Sequence, residues 1–192
     1  MFRAKRRTVV TVTAVLAALL GCALAVTFLT QGKGNASDGS DGTVEYQPGH
    51  RPLAPDFTAT SLTGSTINLS SYRGKTVVLN FWGSWCVPCR SEAATLAVTA
   101  EQFQPDGVSF LGIDVRDSTA TGLAFTQSHD IGYPSVSDPD DLITLDFTSV
   151  VPIVGTPTTL VIDRTGHIAG AIFDEATYPE LTTMLDDVTG KK

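Results

Sequence analysis

The sequence predicts an α/β fold in which a central mixed β-sheet is covered by helices on both faces. Apolar segments rich in β-branched residues alternate with segments of helical periodicity, a pattern typical of parallel strands joined by helices. Two further apolar segments, joined by a short turn at 163–166, indicate an antiparallel pair before a last helix. The 192 residues, 42% of them hydrophobic, are enough for one domain and an appendage.

The first domain boundary lies after residues 1–30, which have the composition of a membrane segment. Four basic residues within 3–7 precede an uncharged, largely apolar run from Thr8 to Thr30, long enough to cross a bilayer. The charge asymmetry predicts a cytoplasmic N-terminus and an external domain at the cell membrane. Three alternatives stay open: a single-pass signal anchor, cleavage after Ala25 to give a secreted protein, and a lipid anchor on Cys22 within Leu19–Cys22.

Residues 31–49 are rich in Gly, Ser, Asp and Asn, which predicts a flexible linker because such a segment buries little apolar surface. Beyond the first seven residues, nine Lys and Arg stand against twenty Asp and Glu. This acidic balance argues against a nucleic-acid partner.

The remaining domain, residues 50–192, is predicted to contain every other element. An N-terminal hairpin is expected at 57–61 and 66–69, from its alternating pattern and its turn at 62–65. Apolar runs predict strands at 76–82, 108–115, 158–162 and 167–173, and a brief extended piece at 133–136. Periodicity and capping residues predict helices at about 87–103, 118–129, 138–147 and 178–188.

The central segment of the chain runs from a buried strand through a Cys-x-x-Cys pair, Cys86 and Cys89, into a helix. Cys86 is expected at or beside the helix N-cap, where unpaired N–H groups and the helix dipole lower the pKa of a thiol. It is therefore the predicted nucleophile. Cys89, one turn later and less exposed to a partner, is the predicted resolving thiol. A structural disulfide or half of a zinc site is the alternative, although no second Cys pair exists to complete four ligands.

The segment 81–92, Phe-Trp-Gly-Ser-Trp-Cys-Val-Pro-Cys-Arg-Ser-Glu, resembles the extracytoplasmic thiol-disulfide oxidoreductases of the TlpA and ResA type. The resemblance covers about Ala54 to Val188 and implies a thioredoxin-like fold. It further implies that Pro157 is a cis-proline beside the two cysteines, and that Thr156 offers main-chain groups to an extended partner segment. Trp85 is expected at the rim of this substrate-binding region, and Trp82 in the core.

Glu92 lies three residues after Cys89, on the same face of the predicted helix. Ordinary thioredoxins carry a buried acid on the central strand, where this chain has Asn80, and ResA-like proteins have an acid that corresponds to Glu92. The expected role of Glu92 is to exchange the proton of Cys89 through a raised pKa. The alternative is a surface Glu that favours the helix dipole. The segment 148–155 before Pro157 is unusually apolar, and either lines the partner groove or fills the core.

The resemblance implies an enzyme that reduces protein disulfides, with the haem-attachment cysteines of apocytochrome c as substrate and a membrane electron-transfer partner. No cofactor and no metal are predicted. A disulfide-forming oxidase of secreted proteins is the runner-up, because sequence does not determine the direction of electron flow. A thiol peroxidase would need a Pro-x-x-x-Thr-x-x-Cys context, and a copper-binding module would need a longer Cys spacing with a paired His.

Overall fold

The computed structural model describes residues 36–38 and 42–191, and a seven-stranded mixed sheet lies at its centre. The strands of the described part are β1 (Ala36–Asp38), β2 (Thr43–Tyr46), β3 (Thr58–Thr60), β4 (Thr66–Asn68), β5 (Thr76–Trp82), β6 (Val108–Val115), β7 (Ser135–Asp138), β8 (Thr158–Ile162) and β9 (Ile168–Ile172). The sheet order is β1-β2-β9-β8-β5-β6-β7, and β3 pairs with β4 in a separate antiparallel hairpin.

Four α-helices lie in the described part of the chain: α1 (Val87–Phe103), α2 (Thr119–Ser128), α3 (Leu142–Thr148) and α4 (Tyr178–Thr189). Side-chain caps fix the start of three of them. Cys86 caps α1, Ser118 caps α2, and Thr177 forms a capping box with Glu180 at the start of α4. These side chains satisfy backbone N–H groups that have no partner inside the helix.

Strand β5 is the central element, and every one of its residues is buried. It runs parallel to β6 and antiparallel to β8. A strand that is covered on both faces needs apolar residues at successive positions, and Val77, Val78 and Leu79 meet that need. Because β5 leads through a short loop into α1, its carboxyl end presents the Cys-x-x-Cys pair at the edge of the sheet.

Two layers of apolar side chains cover the sheet. One layer joins Leu79 and Phe81 to Phe57 of the loop before β3 and to Phe147 of α3. The other joins Val78 and Val161 to side chains of α1 and α4, including Leu96, Phe103, Leu181 and Met184. The predicted mixed sheet with helical layers on both faces is confirmed.

Most predicted elements are present, and β5, α1, β6 and β8 have the predicted bounds. Two elements lie further along the chain than predicted, since β7 begins at Ser135 and α3 at Leu142. Part of the predicted linker forms two strands: β1 pairs with β2, and β2 pairs with β9 of the central sheet. The backbone pairing of β2 with β9 holds this segment on the sheet, its four residues are half-buried, and Tyr46 packs against the core.

The run from Thr8 to Thr30, predicted to cross or enter a membrane, lies outside the described residues. Within 36–38 and 42–191, no helix has both the length and the apolar character that a membrane span requires.

Candidate active site

Cys86 and Cys89 form a disulfide at the start of α1, with an S–S distance of 2.01 Å and a Cα–Cα distance of 5.3 Å. Cys86 is the N-cap residue, as predicted, and its sulfur accepts a hydrogen bond from the backbone N–H of Cys89 at 3.2 Å. A thiolate at this sulfur would meet the positive end of the helix dipole, which lowers the pKa of a thiol.

The expected difference in exposure between the two cysteines is almost absent in this oxidised form. Cys86 is 3% exposed and Cys89 is 2% exposed. The apolar cluster around them contains Trp82 and Phe125, whose rings stack with their centroids 4.7 Å apart. The position of Cys86 at the helix N-cap, rather than greater exposure, therefore distinguishes the two sulfur atoms.

The end of β6 and the loop that follows it contact Ser84 and Trp85, which lie directly before Cys86. The backbone N–H of Ser84 donates to Oδ2 of Asp117 at 2.9 Å. The indole N–H of Trp85 donates to the carbonyl of Val115 at 3.2 Å, and the guanidinium of Arg116 lies 4.9 Å from the centre of the Trp85 ring. The loop after β6 thus holds the backbone of Ser84, two residues before Cys86.

Gly83 is required by the close approach of Trp85. A Cβ atom at position 83 would lie 2.5 Å from the indole nitrogen of Trp85, well inside any allowed contact. Trp82 is 3% exposed and lies in the core, as predicted, whereas Trp85 is 46% exposed and lies at the surface.

Glu92 is buried beneath the disulfide-bearing turn of α1, being only 1% exposed. One carboxyl oxygen accepts a hydrogen bond from the Asn80 amide at 2.8 Å, and the other accepts from the backbone N–H of Ala176 at 2.8 Å. The Asn80 amide also donates to the Thr159 hydroxyl at 3.0 Å. The surface alternative for Glu92 is therefore wrong, and Asn80 orients this carboxyl.

Burial raises the pKa of Glu92 to about 7, although hydrogen bonds from Ala176 and Asn80 favour the charged form. The nearby carboxylates of Glu175 and Asp174 raise the pKa of Glu92 further. A carboxyl with this pKa is close to half protonated at neutral pH, the condition under which an acid both accepts and returns protons.

Thr156 and Pro157 are joined by a cis peptide bond, as the family resemblance implied, and Pro157 is buried immediately before β8. The apolar segment before them is partly buried and partly exposed. Val151 is fully buried and Ile153 is 8% exposed, so both fill the core. Val154 is 88% exposed and presents an apolar side chain to solvent two residues before Thr156.

Sequence reasoning missed the contacts made by Val115, Arg116 and Asp117. The one signal in the sequence is the polar pair Arg116 and Asp117 directly after an apolar strand, whereas the capping pattern predicts a role only for Ser118, at the start of a helix. Hydrogen bonds from Ser84, Thr121 and Ser118 outweigh burial and lower the pKa of Asp117, so this residue carries a negative charge beside the disulfide loop.

The arrangement combines a vicinal cysteine pair, a helix N-terminus and a buried carboxyl, which together support thiol-disulfide exchange. Across residues 36–38 and 42–191, the structure contains no group of three or more His, Cys, Asp or Glu side chains that could hold a metal ion.

Comparison with known proteins gives the same fold and chemistry. The AhpC/TSA family matches residues 51–171 of this chain. The thiol-disulfide oxidoreductase ResA of Bacillus subtilis is 33% identical over 171 residues, which cover 88% of this chain and 86% of that protein. ResA of Geobacillus kaustophilus is 33% identical over 135 residues, which cover 70% of this chain and 75% of that protein.

Two solved structures are also similar. A secreted thiol-disulfide isomerase from Corynebacterium glutamicum is 30% identical and superposes with a TM-score of 0.73, covering 83% of this chain and 98% of that one. A DsbF homologue from Corynebacterium diphtheriae is 33% identical with a TM-score of 0.70, covering 81% of this chain and 98% of that one.

Proposed function

Because this chain belongs to the AhpC/TSA family and is a thioredoxin-fold thiol-disulfide oxidoreductase related to ResA, we propose that it reduces protein disulfides outside the cytoplasm through Cys86 and Cys89. The observation that carries the proposal is the Cys86–Cys89 disulfide at the N-terminus of α1, with Glu92 buried one turn further along the helix. An oxidising compartment is where protein disulfides form and need active reduction.

In the proposed cycle, the Cys86 thiolate of the reduced protein attacks one sulfur of a partner disulfide. The partner S–S bond breaks, one partner sulfur leaves, and a mixed disulfide forms at Cys86. Glu92 then takes the proton of Cys89, and the Cys89 thiolate attacks the Cys86 sulfur. The internal disulfide forms and the partner leaves with two more electrons as a dithiol, taking one proton that Glu92 returns and a second proton from solvent.

The partner groove is proposed to lie between Trp85 and the Thr156–Pro157 segment. Trp85 is half-exposed, and the exposed Val87 and Val154 add apolar surface next to Cys86 and Thr156 in the chain. An extended partner segment would pair with main-chain groups of Thr156, as in the addition of a strand.

The substrate we propose is the disulfide of the haem-attachment cysteines in apocytochrome c, with a membrane dithiol protein restoring the reduced state. The similarity to ResA supports this substrate class. The domain arrangement we propose is a single-pass anchor within residues 1–30, which the basic cluster and apolar run of the sequence support, and an external oxidoreductase domain.

Replacement of the resolving thiol tests this function. In Cys89→Ser, Cys86 still attacks a partner disulfide, but the mixed disulfide has no internal route to collapse and should accumulate. Non-reducing electrophoresis of host membranes, followed by mass spectrometry of the shifted bands, should identify apocytochrome c or a membrane dithiol protein. Cys86→Ser is the matched control and should form no such adducts.

Two outcomes would change the proposal. A broad set of secreted proteins with several cysteines, trapped in place of apocytochrome c, would favour the formation or isomerisation of disulfides. The similarity to a secreted thiol-disulfide isomerase makes this the second candidate. An absence of adducts at Cys86 would contradict both functions.

A further inference from the structure

Asp114 is a second buried acid near the disulfide, and the proposed cycle does not use it. It lies near the carboxyl end of β6, and its side chain is 0% exposed. Neither carboxyl oxygen has a hydrogen-bond partner among the described residues. A buried polar group without a partner costs free energy, so a chain that keeps one at an active site invites a functional explanation.

The surroundings of Asp114 connect it to the disulfide cluster. In the sheet it is the register partner of Trp82, which packs with Cys86 and Cys89. On the helix side it meets Gly122 of α2, where an added Cβ would lie 1.9 Å from the Asp114 Oδ2 atom. Phe125, one turn after Gly122, stacks on Trp82.

Leu62 also lies next to Gly122: a Cβ atom added at Gly122 would lie 3.2 Å from the Leu62 side chain. Leu62 belongs to the apolar cluster that contains both cysteines. The carboxyl of Asp114 is therefore separated from the disulfide by the side chains of one apolar cluster. In such a medium of low dielectric constant, charges interact more strongly than they do in water.

Few charges face Asp114 from the elements packed around it. Strand β5 and helix α2 contain no charged residue, and His129 after α2 stacks on Phe125. The carboxylate of Asp138 in β7 accepts from the N–H groups of Ile143 and Thr144 in the first turn of α3. On α1, Arg90 is exposed and donates to the carbonyl of Ser84, and Glu92 is engaged by its own donors.

The loop after β6 supplies the remaining charges. Arg116 lies over Trp85 and pairs with Asp141, while Asp117 accepts from Ser84. The pKa of Asp114 is raised to about 8, mainly by burial and to a smaller extent by the negative charge of Asp117. This carboxyl is therefore mainly protonated at neutral pH.

We propose that the buried Asp114 carboxyl and the Cys86 sulfur are electrostatically coupled through the apolar cluster that contains Cys86 and that borders Asp114 at Trp82, so that a thiolate at Cys86 makes Asp114 hold its proton more tightly. The inference rests on the proposed function, because it concerns the redox cycle of the Cys86–Cys89 pair. It assigns Asp114 a role in setting the pH dependence of the reduction potential.

In this step a partner dithiol reduces the oxidised protein. Two electrons pass to the protein, the Cys86–Cys89 bond breaks, and a disulfide forms in the partner. The partner dithiol loses two protons. One passes to Cys89, and the other is released to solvent because Cys86 remains a thiolate. In the pH range where Asp114 titrates, the new charge causes it to bind part of a proton from solvent.

The test is the reduction potential of the full chain against glutathione, from about pH 6 to about pH 10, with Asp114→Asn as the variant. Each proton bound on reduction changes the equilibrium constant tenfold per pH unit, which corresponds to about 30 mV. We expect the two curves to coincide near pH 6. Between about pH 7 and pH 9 the wild-type curve should fall more steeply, by up to that amount per pH unit, since only wild type binds the additional proton.

Asp138→Asn is the matched control, because Asp138 is another buried aspartate of the sheet, 3% exposed. This substitution replaces one of the two acceptor oxygens at the start of α3 and should leave the shape of the curve unchanged. Curves of wild type and Asp114→Asn that coincide at every pH, or differ by a constant offset, would overturn the inference, since a purely structural role moves the potential without changing its slope.

An infrared measurement tests the coupling between Asp114 and Cys86 even if Asp114→Asn does not fold. In the full chain carrying Glu92→Gln, the band of a protonated carboxyl should shift when a chemical reductant opens the disulfide. No shift would contradict the coupling. Failure of the wild-type chain to exchange with glutathione would instead contradict the proposed function, and the infrared result would still test Asp114.

Discussion

Glu92 is a carboxyl held inside the protein by two N–H donors, and its position decides what it can do. Asn80 and Ala176 each donate to one of its oxygens. Both donors favour the carboxylate, while burial favours the neutral acid, and the outcome is a pKa of about 7. Asn80 therefore does not replace the buried acid of ordinary thioredoxins, but positions an acid that the helix supplies.

The first prediction concerns the rate of disulfide exchange in Glu92→Gln. The amide cannot take the proton of Cys89, so the rate should fall by about tenfold to a hundredfold, at the lower end of general acid–base contributions. The pH profile of the variant should lose the inflection near pH 7 that Glu92 gives the wild type. Glu101→Gln, on the exposed face of α1, is the control, and a wild-type profile in Glu92→Gln would exclude the proton relay.

The second prediction concerns stability. The pKa of Glu92 is raised from 4.5 to about 7 in the folded protein, so the folded state binds more protons than the unfolded state between these values. The resulting stabilisation is complete below about pH 4.5 and is lost as the pH rises through about 7. It is on the order of 3 kcal/mol at most.

The comparison with Glu92→Gln isolates this effect, because Gln does not titrate. The variant has its own constant cost of about 1–3 kcal/mol, since the Gln NH₂ group faces one of the two N–H donors. We therefore expect the free energy of unfolding of wild type, measured in urea, to decline toward that of the variant as the pH rises. A difference that is independent of pH would contradict the assignment of the titration to Glu92.

At the scale of elements, the active-site loop depends on a strand that is distant in sequence. Asp117, in the loop after β6, accepts the backbone N–H of Ser84, and the carbonyl of Val115, at the end of β6, accepts the indole N–H of Trp85. These contacts fix the approach to the first turn of α1, and so the position of the Cys86 sulfur.

The third prediction follows from this contact. Asp117→Ala removes the acceptor of the Ser84 N–H and leaves that donor to solvent, at a cost of about 1 kcal/mol in stability. Because the loop is less fixed, the alkylation rate of reduced Cys86 and the exchange rate should change by several-fold. Asp187→Ala, an exposed acid on α4, should change neither. Wild-type rates in Asp117→Ala would show that α1 alone positions Cys86.

The elements that sequence predicted well are those whose pattern is local. Strand β5 is apolar at almost every position because it is buried on both faces, and α1 begins at a capping residue and ends before Pro105. Strand β2 was not predicted because it is only four residues long and follows a segment rich in Gly, Ser and Asp, although Val44 and Tyr46 alternate with polar residues and Tyr46 packs against the core.

The candidate site shows the same difference between positions set by local spacing and contacts between separate elements. The positions of Cys86, Cys89 and Glu92 follow from their spacing along one helix. The Asp117–Ser84 hydrogen bond and the burial of Asp114 against Gly122 depend on how β6 and α2 lie beside β5. Such contacts between separate elements are not encoded in the spacing of residues along the chain.

At the scale of the whole molecule, the exposed apolar side chains indicate how a protein partner would be selected. Val154 is 88% exposed and precedes the proposed pairing residue Thr156 by two positions. A solvent-exposed valine in an ordered loop is well placed to be buried by a partner, which contributes about 1–2 kcal/mol.

The fourth prediction uses this residue. Val154→Asp should lower the rate with protein disulfides by about tenfold, through lost apolar contact, and leave the rate with a small disulfide unchanged. Val98→Asp is the matched control, since Val98 is also exposed, at 57%, but lies on α1 away from the disulfide turn. Equal losses with both substrates would place Val154 outside the partner groove.

The most direct test of the central claim is dithiol-dependent insulin reduction by the full chain. The account predicts turnover by the wild type and none above background by Cys86→Ala, because Cys86 forms the only bond to the partner in the proposed cycle. Cys89→Ala should form adducts without turnover. Normal turnover in Cys86→Ala would contradict the assignment of the nucleophile, and with it the proposed cycle.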